Sequence, residues 1–107
     1  MKYLMLVCVD EPFPADAKLD PEAWVTEMDA RGVRLLGNRV RSASDATTVR
    51  VRDGQTLITD GPYAETKEQM GGFDIIDCVD LDEAIEVASK HPIARYGMIE
   101  LRPYWTE

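Results

Sequence analysis

The chain has 107 residues, 45% of them hydrophobic and 30% charged, with a net charge of −8. That length fits one small domain, 1–107, with a limited core. The acidic balance argues against nonspecific nucleic-acid binding, and no apolar run approaches the roughly 20 residues of a membrane-spanning helix.

Tyr3 to Val9 is continuously apolar and is bounded by Asp10, Glu11 and Pro12. It reads as a strand buried on both faces, central in its sheet. The opening segment lacks the small-residue cleavage site of a signal peptide, so a cytoplasmic location is expected. Residues 10 to 19 read as a loop. Asp20-Pro21-Glu22 starts a helix, with Asp as N-cap, Pro at the first helical position and Glu in the first turn. Trp24, Val25 and Met28 share one face of it, and Gly32 stops it.

Val33 to Arg41 is a strand candidate interrupted at Gly37. Thr47 to Arg52 alternates, Asp53-Gly54 follows, and Thr56 to Thr59 answers it. This is a hairpin with a type I′ turn, Val49 and Val51 on one face and Arg50 and Arg52 on the other. Phe73 to Val79 is a further strand. Asp80 to Glu83 is an acidic capping box. Leu81, Ala84, Ile85 and Ala88 define the core face of the helix that follows. Lys90 and His91 fall in its last turn, where a positive charge complements the helix dipole, and Pro92 ends it. Met98 to Arg102 closes the order.

Two helices that each follow a strand pack on one face of a single sheet. With right-handed crossovers the result is an α+β fold, a ferredoxin-like βαββαβ sandwich with an extra β-hairpin. The first and third core strands are then expected to be parallel neighbours, which brings Cys8 and Cys78 close together. The helix-free sheet face is expected to be covered by a second copy in a homodimer. Cys8, Cys78 and the single histidine, His91, lack metal-ligand spacing, so no metal and no cofactor is expected. The thiols read as small buried hydrophobes.

Charge is uneven. Residues 31 to 52 hold Arg31, Arg34, Arg39, Arg41, Arg50 and Arg52 against one acid, Asp45, a net of +5 that leaves −13 for the remainder. These arginines suit a solvent-facing sheet, a small anion, or an acidic surface on a second copy.

The stretch DGPYAETKEQMGGF, residues 60 to 73, combines a turn with a dense set of polar groups. Asp60-Gly61-Pro62 is a turn signal, and Gly71-Gly72 lets another backbone come close. Asp60, Tyr63, Glu65, Lys67 and Glu68 offer acid, base and donor groups on a loop carried by a sheet. Glu100 and Arg102 form a second candidate pair, both on the helix-free face if the last strand alternates.

Asp60 to Gln69, followed by Gly71-Gly72-Phe73, resembles the signature of the DGPF group of YCII-related proteins, with Tyr63 where the motif has Phe. Thr47-Thr48-Val49-Arg50, Asp80-Leu81-Asp82-Glu83-Ala84 and Ile99-Glu100-Leu101-Arg102-Pro103 extend the resemblance along nearly the whole chain. The resemblance implies a dimeric ferredoxin-like α+β barrel, and a group often encoded beside, or fused to, extracytoplasmic-function sigma factors. Other YCII-related proteins carry a proposed His-Asp pair with its His in the first helix. The helix predicted here over Pro21 to Arg31 has none.

Three functions stay open on the sequence. One is a homodimeric small-molecule-binding or regulatory domain, its pocket near the 60–72 loop with Glu100 and Arg102 inside. Another is a small metal-independent enzyme using Asp60, Glu65 or Glu68 for acid–base chemistry. The last is an interaction module for a sigma factor.

Overall fold

The computed structural model describes residues 1–9, 12–64 and 69–106. Strand β1 (Lys2–Val9) leads to helix α1 (Glu22–Ala30) and strand β2 (Arg34–Arg39). A hairpin of β3 (Thr47–Arg52) and β4 (Gln55–Asp60) comes next. Then follow β5 (Gln69–Asp77), α2 (Leu81–Ser89) and β6 (Met98–Pro103). The main sheet has the order β2-β5-β1-β6, and β3-β4 forms a separate two-stranded sheet. The fold is α+β with two helices and an antiparallel sheet, compatible with a ferredoxin-like arrangement.

Every neighbouring pair in the main sheet is antiparallel. This corrects the expected parallel pairing of the first and third core strands. The crossover through α1 makes β1 and β2 co-directional but leaves a gap between them. Strand β5 fills that gap running the opposite way. Cys8 therefore lies opposite Met70 and Met98 at one end of the sheet. Cys78 lies at the other end, its amide donating to the Met1 carbonyl at 2.8 Å. The two thiols are not neighbours.

Helix α1 begins one residue later than the sequence suggests. Pro21 occupies the capping position, and the Asp20 carboxylate accepts the Glu22 N–H at 3.0 Å. Gly32, at φ 72°, lets the chain turn out of the helix, a conformation that a Cβ disfavours. Helix α2 is capped by Asp80, whose side chain accepts the Glu83 N–H at 2.9 Å, while Glu83 Oε1 takes the Val79 N–H.

The core lies between the sheet and the helices. Tyr3, Met5 and Val7 point inward from β1 and meet Trp24, Met28 and Val87 from the helices. Full burial of a side chain such as Met5 or Met28 contributes about 2 kcal/mol. Trp24 satisfies its indole N–H with the Val87 carbonyl at 2.9 Å, which ties α1 to α2. The solvent edge of the two helices is stitched by ion pairs, with Arg31 against Glu86 at 2.8 Å and Lys90 against Glu27 at 3.2 Å.

The expected core face of α2 is rotated. Ala84 and Ala88 are buried with Val87, whereas Leu81 and Ile85 are each 51% exposed. The buried face runs through Ala84, Val87 and Ala88, which leaves the two large residues outward.

The hairpin stands apart. Asp53 and Gly54 take positive φ angles of 51° and 74°, as the type I′ turn requires. Val49 faces Ile58 across the ladder, and Arg50 faces Leu57. Cross-strand partners share a face, so Val49, Val51 and Ile58 form one side and Arg50, Arg52 and Leu57 the other. Every residue from Val49 to Asp60 is exposed. The radius of gyration, 15.9 Å, exceeds the roughly 13 Å of a compact chain of this length.

Candidate functional site

A cavity of about 1030 Å³ opens on the helix side of the sheet, between β2, β5 and the start of α1. Val7, Val9, Phe13, Val25 and Ile93 give it an apolar wall. Gln69 to Asp74 and Gly37 to Ala43 form a second wall, and Arg34, Asp74 and His91 bring polar groups to it.

Asp74 sits on the core parity of β5, beside Ile76, and is 6% exposed. Its Oδ1 accepts from Arg34 Nε at 2.8 Å, and Arg34 Nη1 reaches Asp29 at 3.2 Å. Burial pushes the Asp74 carboxyl up, against the opposing pull of the Arg34 guanidinium. Burial also disfavours charge on Arg34, but its hydrogen bonds to Asp74 and Asp29 outweigh that and hold it charged. Gly37 makes this pair possible. A Cβ at position 37 would stand 2.0 Å from Asp74 Oδ1 and 2.7 Å from the Phe73 carbonyl oxygen. The glycine that interrupts the β2 sequence is thus the space that the carboxylate occupies.

His91 is 4% exposed. Helix α2 ends at Ser89, and Pro92 starts a 3-10 turn over Pro92–Arg95. His91 caps that turn, Nδ1 accepting the Ile93 N–H at 3.1 Å. Its ring leans on Trp24, with centroids 4.9 Å apart. Burial lowers its pKa to about 4, so the imidazole is neutral at pH 7. This overturns the expected role of His91 as a positive charge at the end of α2.

The arginines of residues 31 to 52 separate into distinct environments. Arg31 is held by α2, Arg34 by Asp74 and Asp29, and Arg41 by Asp45 at 3.2 Å. Arg39 lines the cavity and has no ion-pair partner among the described residues.

The residues expected from the sequence lie elsewhere or outside the described part. Asp60 ends β4 opposite Thr47, and Tyr63 is 84% exposed; neither lines the cavity. Gly61 next to them is fixed by Thr48 Oγ1, which donates to its carbonyl at 2.8 Å. Glu65, Lys67 and Glu68 fall outside the described residues. Glu100 and Arg102 pair with each other on β6, opposite Leu6 and Leu4, on the helix-free face. Like Asp60 and Tyr63, neither Glu100 nor Arg102 lines the cavity.

Arg34, Arg39, Asp74 and His91 were not read as one site from the sequence. The available signal was Asp74, a carboxylate at an inward position within the apolar run Phe73 to Ile76. Among the described residues no group of three or more His, Cys, Asp or Glu side chains is placed to hold a metal ion. No described helix is long and apolar enough to cross a membrane.

The chain resembles, at 45% identity over 98 residues, an uncharacterized protein of Rhizobium meliloti (strain 1021), covering 76% of this chain and 79% of that protein. The sequence profile of the YCII-related domain matches residues 1–107. The chain belongs to the YCII-related domain family.

Proposed function

We propose that this protein is a homodimeric small-molecule-binding domain whose ligand occupies the cavity beside Gly71 and Gly72. The cavity itself carries the reading: it pairs an apolar wall with a few convergent polar groups, the usual composition of a ligand pocket. Residues 60–68, the DGPF-like stretch, directly precede Gln69 of the cavity wall in the chain, and Asp60, Tyr63, Glu65, Lys67 and Glu68 are kept as ligand-binding candidates on that adjacency in sequence.

The homodimer is supported by the helix-free sheet face. Leu4, Leu6, Phe73 and Ile75 lie there only half-buried, and Leu36 is 54% exposed. A second sheet packed on this stripe would complete a dimeric α+β barrel, with Glu100 and Arg102 in its interface. An apolar face of this kind rarely stays open in a monomer. A second reading, a protein-interaction module with a sigma factor as the partner, draws on one feature: the exposed Val79 just before α2, with Leu81 and Ile85 exposed on it.

The test is a thermal-shift screen of a broad metabolite panel at fixed protein concentration. A ligand at about 100 times its Kd adds about 2.7 kcal/mol, several degrees in a domain of this size. The shift is expected to vanish in Ala43→Trp, which adds an indole at a cavity-lining position. A ligand whose shift survives that change binds elsewhere and overturns the reading. Light scattering at micromolar concentration tests the dimer, and a monomer overturns it.

A further inference from the structure

Three sulfur side chains share one row of the main sheet. Cys8 of β1 lies opposite Met70 of β5 on one side and Met98 of β6 on the other. Cross-strand partners share a face. Here it is the helix-free face, because Val7, on the opposite parity of β1, is buried in the core.

Two local devices make the row. The β1–β5 register shifts between Val7 and Cys8. Val7 pairs with Gly72, so an unbroken ladder would set Cys8 against Gly71; the bulge passes over that glycine and brings Met70 alongside. On the other side, Gly97 holds the start of β6 tight against β1. A Cβ at position 97 would overlap the Cys8 carbonyl oxygen and stand 3.2 Å from Val9 Cα. Met98 is the next residue. Metal-ligand spacing counted from Cys and His alone passes over this row, because the two thioethers come from other strands.

The spacing suits one ion. Directly opposed Cβ atoms lie about 5 Å apart. An ion bound at about 2.3 Å from the Cys8 sulfur therefore stands between two unbranched, flexible thioethers, each one strand away. Met70 and Met98 are 45% and 47% exposed, so an ion can reach the row from solvent. A thiolate with two thioethers is a soft donor set, which favours monovalent copper over harder cations. Charge points the same way. A monovalent ion cancels the thiolate, and the neutral complex rests beside half-buried Leu6 and Phe73. A divalent ion would leave one positive charge there, and the nearby Glu100 is already engaged by Arg102.

We propose that Cys8, Met70 and Met98 bind one Cu(I) ion. A copper–sulfur bond forms at Cys8 and its thiol proton passes to water; the ion arrives as Cu(I), so no electron moves. The site is independent of the cavity reading.

The experiment titrates the full chain with Cu(I) under argon, in competition with the colorimetric chelator bicinchoninate. The ε-methyl groups of the five methionines are followed by 13C NMR. One ion per chain is expected, with two methyl signals shifting, the ones missing from Met70→Leu and Met98→Leu. Leucine nearly conserves the volume of methionine, so these variants keep the fold. Each is expected to weaken binding about tenfold, because each removes one of three soft donors. Cys8→Ser is expected to weaken it about a hundredfold or more, because it removes the charged ligand. Cys78→Ser, at the far end of the sheet, is expected to leave affinity unchanged. Zn(II) is expected to bind about a hundredfold more weakly, because thioethers are not among its usual ligands. Binding lost in Cys78→Ser but kept in Cys8→Ser overturns the site, as does one ion shared by two chains. Unmoved Met70 and Met98 methyls, equal affinity for Zn(II), or failure to take Cu(I) from the chelator overturns it as well.

Discussion

The buried neutral His91 makes stability depend on pH in a calculable way. In the unfolded chain its pKa is about 6.5, and in the fold it falls to about 4. The folded state therefore binds fewer protons between these values. Stability is fully present above pH 6.5, declines as pH falls, and levels off below about 4. At 1.36 kcal/mol per unit the full difference is about 3 kcal/mol. Because His91 borders an open cavity, solvent screening reduces this, and about 2 kcal/mol is the expected loss. As the chain has one histidine, its imidazole Hε1 resonance can be followed without assignment. The expected titration midpoint lies near 4. Urea unfolding at pH 7 and pH 4.5, compared between wild type and His91→Asn, isolates the contribution from the carboxylates. An imidazole that titrates near 6.5, or a pH dependence unchanged in His91→Asn, would refute the reasoning.

Gly37→Ala should cost about 3 kcal/mol, because the new Cβ displaces Asp74 from Arg34 and strands a buried charge; a loss under about 1 kcal/mol in urea would show that the pair can relax around it. Cys78 is buried and its thiol is pushed up to about 11, first by burial and then by Glu83. Iodoacetamide at pH 7.5 should therefore leave Cys78 unmodified until the protein unfolds. Diamide should form no bond between Cys8 and Cys78 within one folded chain; a loss of 2 mass units in the monomer would contradict the antiparallel placement.

Much of this architecture was legible in residue order, and the failures have specific causes. The apolar run from Tyr3 placed the central strand, and Asp53-Gly54 placed the hairpin turn, because both signals are local. The direction of β5 relative to β1 is a property of how crossovers fill a sheet, and no pair of residues encodes it alone. On α2 the sets Leu81-Ala84-Ile85-Ala88 and Ala84-Val87-Ala88 overlap, so periodicity alone cannot choose which neighbours of the alanines turn inward. His91 was misread because Pro92 does more than end a helix: it begins another turn, and the residue before it becomes a cap. The cavity joins Arg34, Arg39, Asp74 and His91 across the sheet and the end of α2, separations that no short motif spans.

The hairpin has a consequence for how the molecule can be handled. Strands β3 and β4 take their ladder hydrogen bonds from one another and none from the main sheet. Their tip, Asp53-Gly54, is exposed. Extra chain spliced there, or a fluorophore on a cysteine introduced there, would be carried away from the core and from the cavity wall. The same arm that makes the molecule wide thus offers a position for an insertion or a reporter, chosen so that the body of the domain does not register the change.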